Sequence, residues 1–248
     1  MNEIAGVILA AGEGSRMKSK TSNKVTLLLG GKPMIVRAVE LLSGLKLSPV
    51  VVVVGFAKES VKNLIQDSVV FAEQKKRLGT AHALTTGIKV LPKRLTNVLV
   101  IQGDDSAFYK PEALKNLINS HLQDKNALTF LTIEVDDPSG LGRIIRDKNG
   151  RVSAIIEEKN ASAPQKEIKE INPACYVFNL AFLKKYLSKV RKDPISGEYY
   201  LVDLVKIALA NGEKVKDIKG GAAAWRGVNT KEELEEAEGL YSKLRSAN

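Results

Sequence analysis

A cation-rich loop follows the first apolar run of the chain. Residues 4–9 predict a buried strand, and the glycines Gly12 and Gly14 and the cations Arg16 and Lys24 come after it. Glycine lets the backbone approach an anion closely, and N–H groups beside guanidinium and ammonium groups suit a polyphosphate. Two nearby glycines alone also fit an ordinary turn, and lysines fit a solvated face. The cations favour a phosphate-binding loop.

The position of Met17 excludes two common phosphate loops. Five residues after its first glycine, a Walker loop places Gly-Lys-Ser/Thr and a dinucleotide fingerprint places its third glycine. Counted from Gly12, that position is Met17. The loop therefore belongs to neither motif.

Asp104 is a candidate ligand for a divalent cation. It follows an apolar strand predicted over 97–101, at the edge where open α/β sheets bind ligands. Mg²⁺ takes oxygen ligands and few of them from the protein. Gly-Asp-Asp by itself also fits a turn. Asn229 by itself fits a helix start, which Thr230 caps equally well. Residue type alone leaves these alternatives open.

The composition excludes several classes of protein. The 248 residues include one cysteine, Cys175, which rules out an internal disulfide framework and fits a reducing compartment. No apolar run reaches the length of a membrane span, and Met1-Asn2-Glu3 lacks a signal peptide's basic region, so we expect a cytoplasmic protein without a membrane partner. The net charge of +10 suits an anionic substrate, whereas 5% aromatic residues argue against stacking on nucleic acid.

Apolar runs alternate with helical patterns along the chain, which predicts a mostly parallel sheet covered by helices on both faces. From Gly140 the pattern changes to a hairpin on the turn Asn149-Gly150. The predicted strands are 4–9, 49–55, 69–72, 97–101, 127–135, the hairpin over 143–156, and 170–178. The predicted helices are 33–44, 58–65, 79–90, 111–122, 180–190, 199–210 and 230–244.

Three short segments resemble the signature of the sugar-1-phosphate nucleotidyltransferases. They are Leu9-Ala10-Ala11-Gly12-Glu13-Gly14-Ser15-Arg16-Met17, Lys24-Val25 and Gly31-Lys32-Pro33-Met34. The resemblance is strongest to the bacterial N-acetylglucosamine-1-phosphate uridylyltransferase domain, and further matches extend over nearly the whole chain. It implies an α/β fold with a doubly wound, mostly parallel Rossmann-like sheet and an inserted β-rich sugar-binding lobe.

The resemblance also implies an activity and a domain plan. The activity is Mg²⁺-dependent transfer of a uridylyl group from UTP to a sugar 1-phosphate, N-acetylglucosamine 1-phosphate above all, by a monomer or small homo-oligomer. The plan is a single domain with a nucleotide-binding half over 1–126, a sugar-binding half over 127–229 and a C-terminal helix over 230–248. No hexapeptide repeat occurs in the sequence, so we expect no acetyltransferase activity.

Site residues are carried over from the family position by position. Catalysis falls to Arg16 and Lys24, and Mg²⁺ binding falls to Asp104 and Asn229. The nucleotide-binding residues implied are Leu9, Ala10, Ala11, Gly12, Gly14, Gln74, Gly79 and Thr80. The sugar-binding residues implied are Gly142, Glu157 and Asn172.

The chain departs from the family pattern at several positions. Asn23 replaces the usual proline, and we expect it to loosen the loop that aims Lys24. Asp105 replaces an apolar residue beside the predicted metal ligand. Pro173 and Ala174 replace a common threonine and glycine, so the identity of the sugar is the most open part of the prediction.

Other interpretations stay open at this stage. Without the resemblance Gln74 reads as solvated surface and Glu157 as an edge charge, and His82 reads as a packed helix residue in either case. Rival functions are transfer to another hexose 1-phosphate or from another triphosphate, and a nucleotide-sugar sensor without catalysis. A nucleic-acid-binding module would explain only the charge.

Overall fold

A computed structural model of the protein describes residues 4–14, 21–65, 69–222 and 225–246. Within these ranges no helix has both the length and the apolar character that a membrane crossing requires. The strands are β1 (Ile4–Ala10), β2 (Leu28–Leu29), β3 (Lys32–Pro33), β4 (Val50–Val54), β5 (Val70–Glu73), β6 (Asn97–Gln102), β7 (Leu128–Glu134), β8 (Gly142–Arg146), β9 (Val152–Ile156), β10 (Glu170–Asn172), β11 (Tyr176–Asn179) and β12 (Val215–Ala222). The α-helices are α1 (Met34–Gly44), α2 (Lys58–Lys62), α3 (Thr80–Ile88), α4 (Pro111–Asp124), α5 (Ala163–Lys166), α6 (Leu180–Tyr186), α7 (Asp203–Ala210) and α8 (Lys231–Ser246).

One large sheet runs through the described part of the chain. Its strands follow the order β5-β4-β1-β6-β11-β7-β10-β8-β9, and β12 pairs with β7. The pairs among β5, β4, β1 and β6 are parallel, as is the pair of β12 with β7. Strands β9, β10 and β11 run against the common direction of the others. The predicted α/β, doubly wound and mostly parallel sheet is therefore confirmed.

Helices cover both faces of the sheet because its central strands are apolar on both sides. Strands β1 and β4 are buried along their whole length, as expected for parallel strands between two helical layers. One core joins their first face to α1, α2 and α4. A second core joins the opposite face to α3, α6 and α7. This framework fixes the loops at the carboxyl ends of the strands, where the candidate site residues lie.

The strand predicted over 170–178 is wrong as a single element, because it divides into β10 and β11. Between them Ala174 takes a left-handed backbone conformation with φ of 57°, and Pro173 offers no N–H for a ladder. The chain thereby leaves the edge of β8 and enters the gap between β6 and β7. Strand β12 was not predicted, and the helix predicted from 199 begins at Asp203.

Candidate functional site

A cleft of about 700 Å³ opens at the carboxyl ends of β1, β5 and β6. The carboxyl ends of parallel strands meet at one edge of a sheet, which is where open α/β sheets bind ligands. The predicted site residues that line it are Leu9, Ala10, Ala11, Gly12, Gly14, Lys24, Gln74, Gly79, Thr80, Asp104, Gly142, Glu157, Asn172 and Asn229. Arg16 lies outside the described residues, so its catalytic role stays a prediction.

The loop after β1 is held close to the loop after β4. A Cβ on Gly55 would lie 2.7 Å from the carbonyl oxygen of Ala11, so this approach requires glycine. The N–H of Phe56 donates to the same carbonyl at 3.3 Å. A Cβ built on Gly12 meets no heavy atom of the described residues within 4 Å. The backbone at Gly12 is therefore open to a ligand, and the loop that carries it is firmly anchored.

Asn23 anchors this loop, contrary to the expectation that it loosens it. Its Nδ2 donates to the carbonyls of Ala10 at 3.1 Å, Gly12 at 3.1 Å and Phe56 at 2.9 Å. Its backbone N–H donates to Ser60 Oγ at 3.0 Å, and the side chain is almost fully buried. Asparagine gives up the rigidity of proline, but its amide donates hydrogen bonds to the loops after β1 and β4, which proline cannot do. The expected loosening is wrong for this reason.

The ammonium group of Lys24 lies between the two predicted metal ligands. Its Nζ forms an ion pair with Asp104 Oδ2 and donates to Asn229 Oδ1 at 2.7 Å. Asp104 and Asn229 are distant in sequence, so the fold converges their oxygens on one point. A carboxylate and an amide oxygen that already hold a cationic group form a donor set that suits Mg²⁺. The described residues contain no cluster of three or more His, Cys, Asp or Glu side chains that could hold a metal ion.

The cap of α8 explains why the Asn229 side chain is available to the cleft. Thr230 Oγ1 accepts from the N–H of Glu233 at 3.1 Å, and Glu233 Oε2 accepts from the N–H of Thr230 at 3.2 Å. This reciprocal pair is a capping box. Thr230 therefore caps the helix, and the alternative role of Asn229 as cap does not apply.

Asp105 is buried beside Asp104, where the neutral form of its carboxyl is favoured. Burial and the neighbouring Asp104 carboxylate raise the pKa of Asp105 well above its ordinary value. Tyr109 Oη lies 2.8 Å from the Pro173 carbonyl oxygen and 3.0 Å from Asp105 Oδ2. Tyr109 carries one hydroxyl hydrogen and the carbonyl can only accept, so a neutral Asp105 carboxyl can supply a hydrogen for the second contact. This buried carboxyl takes the place of the apolar residue usual in the family.

Gln74 lies in the wall of the cleft, directly after β5. Only 4% of it is exposed, so the solvated-surface interpretation is wrong. Its Nε2 donates to the Gly79 carbonyl at 3.1 Å and lies 2.8 Å from His82 Nδ1. Its backbone N–H donates to Val54 O at 2.8 Å, which continues the sheet by one residue. Gln74 is thus a positioned amide at the end of a strand.

A segment from the other half of the chain clamps the Gly79-Thr80 turn. Gly79 has φ of 93°, and a Cβ there would lie 2.5 Å from the Tyr199 carbonyl oxygen. That carbonyl accepts from the Ala81 N–H at 2.9 Å, and Thr80 Oγ1 accepts from the Leu201 N–H at 2.9 Å. Only glycine fits this turn, and Gly79 lines the cleft.

Glu157, Asn172 and Gly142 form the opposite wall of the cleft. Glu157 lies at the end of β9, and burial raises the pKa of its carboxyl. A Cβ built on Gly142 would lie 3.5 Å from Glu157 Oε1. Asn172 Oδ1 accepts from the Ala174 N–H at 2.6 Å and the Tyr176 hydroxyl at 3.0 Å. Its buried Nδ2 has no hydrogen-bond partner among the described residues. The wall thus presents an acceptor and an unused donor, which suits a sugar with hydroxyl and acyl groups.

A fully buried arginine supports this wall. Arg143 is 1% exposed, and its Nη2 lies 2.5 Å from Glu158 Oε2. The guanidinium also donates to the carbonyls of Leu141 and Lys166. It therefore ties the Gly140–Gly142 turn to the segment after β9.

Three contacts at the cleft were missed by sequence reasoning. The backbone of Tyr199 clamps the Gly79 turn, His82 contacts Gln74, and Arg77 pairs with Glu13 at 3.1 Å at the cleft wall. The first contact is made by backbone atoms, so the type of residue does not predict it. The second joins side chains at the two ends of the β5–α3 connection, and the third joins side chains from two loops, so only the fold reveals them.

Comparison with known proteins identifies the family of the chain. The model of the nucleotidyl transferase family matches residues 5–243. The "Bifunctional protein GlmU" of Caldanaerobacter subterraneus subsp. tengcongensis is 40% identical over 238 residues, which cover 96% of this chain and 51% of that protein. The protein of the same name from Neisseria meningitidis serogroup B is 41% identical over 241 residues, 97% of this chain and 52% of that protein. The chain thus spans about half the length of these curated relatives.

A solved structure with the same fold is a Bacillus anthracis protein assigned as a glucose-1-phosphate thymidylyltransferase, in complex with sucrose. It aligns with a TM-score of 0.78 at 22% identity, covering 96% of this chain and 95% of that one. At this identity the likeness supports the fold alone. The family model covers nearly the whole chain and agrees with the signature residues, so the predicted family is confirmed. The chain belongs to the nucleotidyl transferase family.

Proposed function

We propose that the chain transfers the uridylyl group of UTP to N-acetylglucosamine 1-phosphate, giving UDP-N-acetylglucosamine and pyrophosphate. The observation that carries the proposal is one cleft that joins the loop after β1, the Gln74 amide, the Asp104–Asn229 pair and the Glu157–Asn172 wall. Each part suits one portion of the two substrates. The similarity to GlmU proteins supports the choice of sugar and base.

The chemistry requires positioning and charge stabilisation. A phosphate oxygen of the sugar 1-phosphate attacks the α-phosphorus of UTP, and pyrophosphate leaves on the opposite side. Backbone N–H groups from the loop after β1 bind the triphosphate, while Gln74 and Gly79 read the base. Glu157 and Asn172 hold the sugar so that its phosphate points along the line of attack. Mg²⁺, held by Asp104 and Asn229, would neutralise charge on the phosphates.

Lys24 has two successive partners in this scheme. Its ammonium group occupies the space between Asp104 and Asn229 in the structure. A cation held by Asp104 and Asn229 would leave the flexible Lys24 side chain free to contact a phosphate. In the structure, Lys24 holds the Asp104 and Asn229 side chains with their oxygens close to one point.

The direct test measures pyrophosphate release from a panel of triphosphates and sugar 1-phosphates with Mg²⁺. We expect the highest kcat/KM for UTP with N-acetylglucosamine 1-phosphate. A higher value for another pair would replace the substrates but keep the transfer. Binding of nucleotide-sugar without any release would identify a sensor and contradict the proposal.

Glu157→Gln should weaken sugar binding and stabilise the free protein. A hydrogen bond to a charged group contributes about 1.5–3 kcal/mol, so we expect sugar 1-phosphate to bind roughly tenfold to a hundredfold more weakly. Because the folded-state pKa of Glu157 is raised, its charged form costs stability at neutral pH, and that cost disappears as pH falls through the raised pKa. Thermal melts of both proteins across pH check this, since the variant should melt higher at pH 7 and lose its advantage in acid. An equal melting advantage at every pH would contradict the burial argument.

A further inference from the structure

The side chain of Gln74 is held in one orientation by two neighbours. Its Nε2 lies 3.1 Å from the Gly79 carbonyl oxygen and 2.8 Å from His82 Nδ1. The carbonyl can only accept, so the amide atom that faces it must be the nitrogen. A reversed amide would set two oxygens against each other. Both N–H groups of Gln74 are therefore used within the protein.

His82 can accept the second of these hydrogen bonds because its ring is neutral. Burial lowers the pKa of His82 below its ordinary value, and the charge of Lys89 lowers it further. A neutral ring with its hydrogen on Nε2 presents a lone pair at Nδ1. The residue lies in the first turn of α3, whose start is fixed by the Gly79-Thr80 clamp.

The orientation leaves Gln74 Oε1 as the atom available to a nucleobase. Gly79 lines the same cleft, and its N–H donates to no described residue. An acceptor next to a donor complements N3–H and O4 of uracil or thymine. Cytosine has the same size but the inverse pattern, with an acceptor at N3 and a donor at N4. The pair therefore discriminates between pyrimidines of equal shape.

We propose that His82 is the positioning residue that sets this selectivity, by holding the Gln74 amide with its oxygen toward the base. The inference rests on the proposed function in that it places a pyrimidine triphosphate in the cleft. It concerns the base alone, so it holds for any sugar 1-phosphate. This role involves no proton transfer by His82, and the proposed reaction requires none.

Two variants separate this role from simple packing. His82→Asn keeps an acceptor, because its Oδ1 can take the place of Nδ1. His82→Leu fills similar space without an acceptor, which leaves one N–H of Gln74 unpaired and the Gly79 carbonyl as the one described partner that still holds the amide. Thermal melts of both variants establish that they are folded.

The experiment is calorimetric titration of the full chain with UTP, dTTP and CTP. UTP and CTP share the ribose and the triphosphate, so the ratio of their dissociation constants reports on the base alone, and dTTP is compared between variants because it lacks the 2′-hydroxyl. We expect the unmodified protein to bind UTP and dTTP at least about tenfold more tightly than CTP. His82→Leu should reduce that ratio by about tenfold, and His82→Asn should keep it within about threefold.

The outcomes distinguish the inference from the proposed function. An unchanged UTP-to-CTP ratio in folded His82→Leu, or equal losses in both variants, overturns the role of His82 and leaves uridylyl transfer standing. Preferred turnover of dTTP with another sugar overturns the proposed substrates, while the same His82 effect on dTTP over CTP supports the inference. Equal binding of UTP and CTP by the unmodified protein overturns the inference, whereas the proposed transfer is tested separately by turnover.

Discussion

Asp104→Asn should lower the turnover of the proposed transfer by at least about a hundredfold while the fold is kept. Asparagine preserves the shape of the side chain and one oxygen but removes the negative charge. That charge is needed to hold a divalent cation against the phosphates, and loss of one preorganised electrostatic group typically costs about 10²–10³ in rate. The measurement is pyrophosphate release at saturating substrates over a series of Mg²⁺ concentrations. The variant should also require more Mg²⁺ for half of its maximal rate.

The effect should be specific to the cleft. Asp124 is a matched control because its carboxylate pairs with Lys216 at 2.6 Å on the surface, outside the cleft. Asp124→Asn removes the same charge and should leave turnover and Mg²⁺ dependence unchanged. Turnover of Asp104→Asn within about threefold of the unmodified protein would show that Asp104 does not bind the metal, whatever the control gives.

Most of the fold could be predicted because its central strands are continuous apolar runs. Strands β1, β4 and β6 can be recognised without knowing their neighbours in the sheet, since parallel strands buried on both faces are continuous apolar runs in the sequence. Strand β12 could not be found in this way. It contains two lysines, an aspartate and two glycines, and it is supported by pairing with β7 and by an ion pair of Asp217 with Arg146 at 2.7 Å. Those contacts come from distant parts of the chain.

The sequence predicted which residues form the site but not which of them contact one another. Motifs named Asp104, Asn229 and Gln74, and the cleft contains all three. Their partners depend on the fold, because Lys24 reaches both metal candidates and His82 reaches Gln74 only once the loops converge. A departure from the family pattern is hardest to interpret from sequence alone, since its consequence depends on what surrounds the new side chain.

Asn23 is the clearest example of such a departure from the family pattern. We expect Asn23→Asp to lower the free energy of unfolding by about 3 kcal/mol. The side chain is 1% exposed, and its two N–H groups serve the carbonyls of Ala10, Gly12 and Phe56. A carboxylate would place an oxygen against these three oxygens, and even a protonated carboxyl offers a single hydrogen. Buried groups left without a partner cost about 1–3 kcal/mol each. For a chain of this size the melting temperature should fall by roughly 6–12 °C.

The loss should extend to nucleotide binding, because Ala10 and Gly12 belong to the proposed phosphate loop. Calorimetric titration with UTP below the melting temperature should show weaker binding by the folded variant. Asn179→Asp is the matched control, since Asn179 caps α6 as an acceptor, taking the N–H of Ala181 at 2.9 Å. Aspartate caps as well as asparagine, so this variant should stay within about 0.5 kcal/mol of the unmodified protein. If Asn23→Asp melts no lower than Asn179→Asp, the donor role of Asn23 is refuted and its place in the loop is one of packing alone.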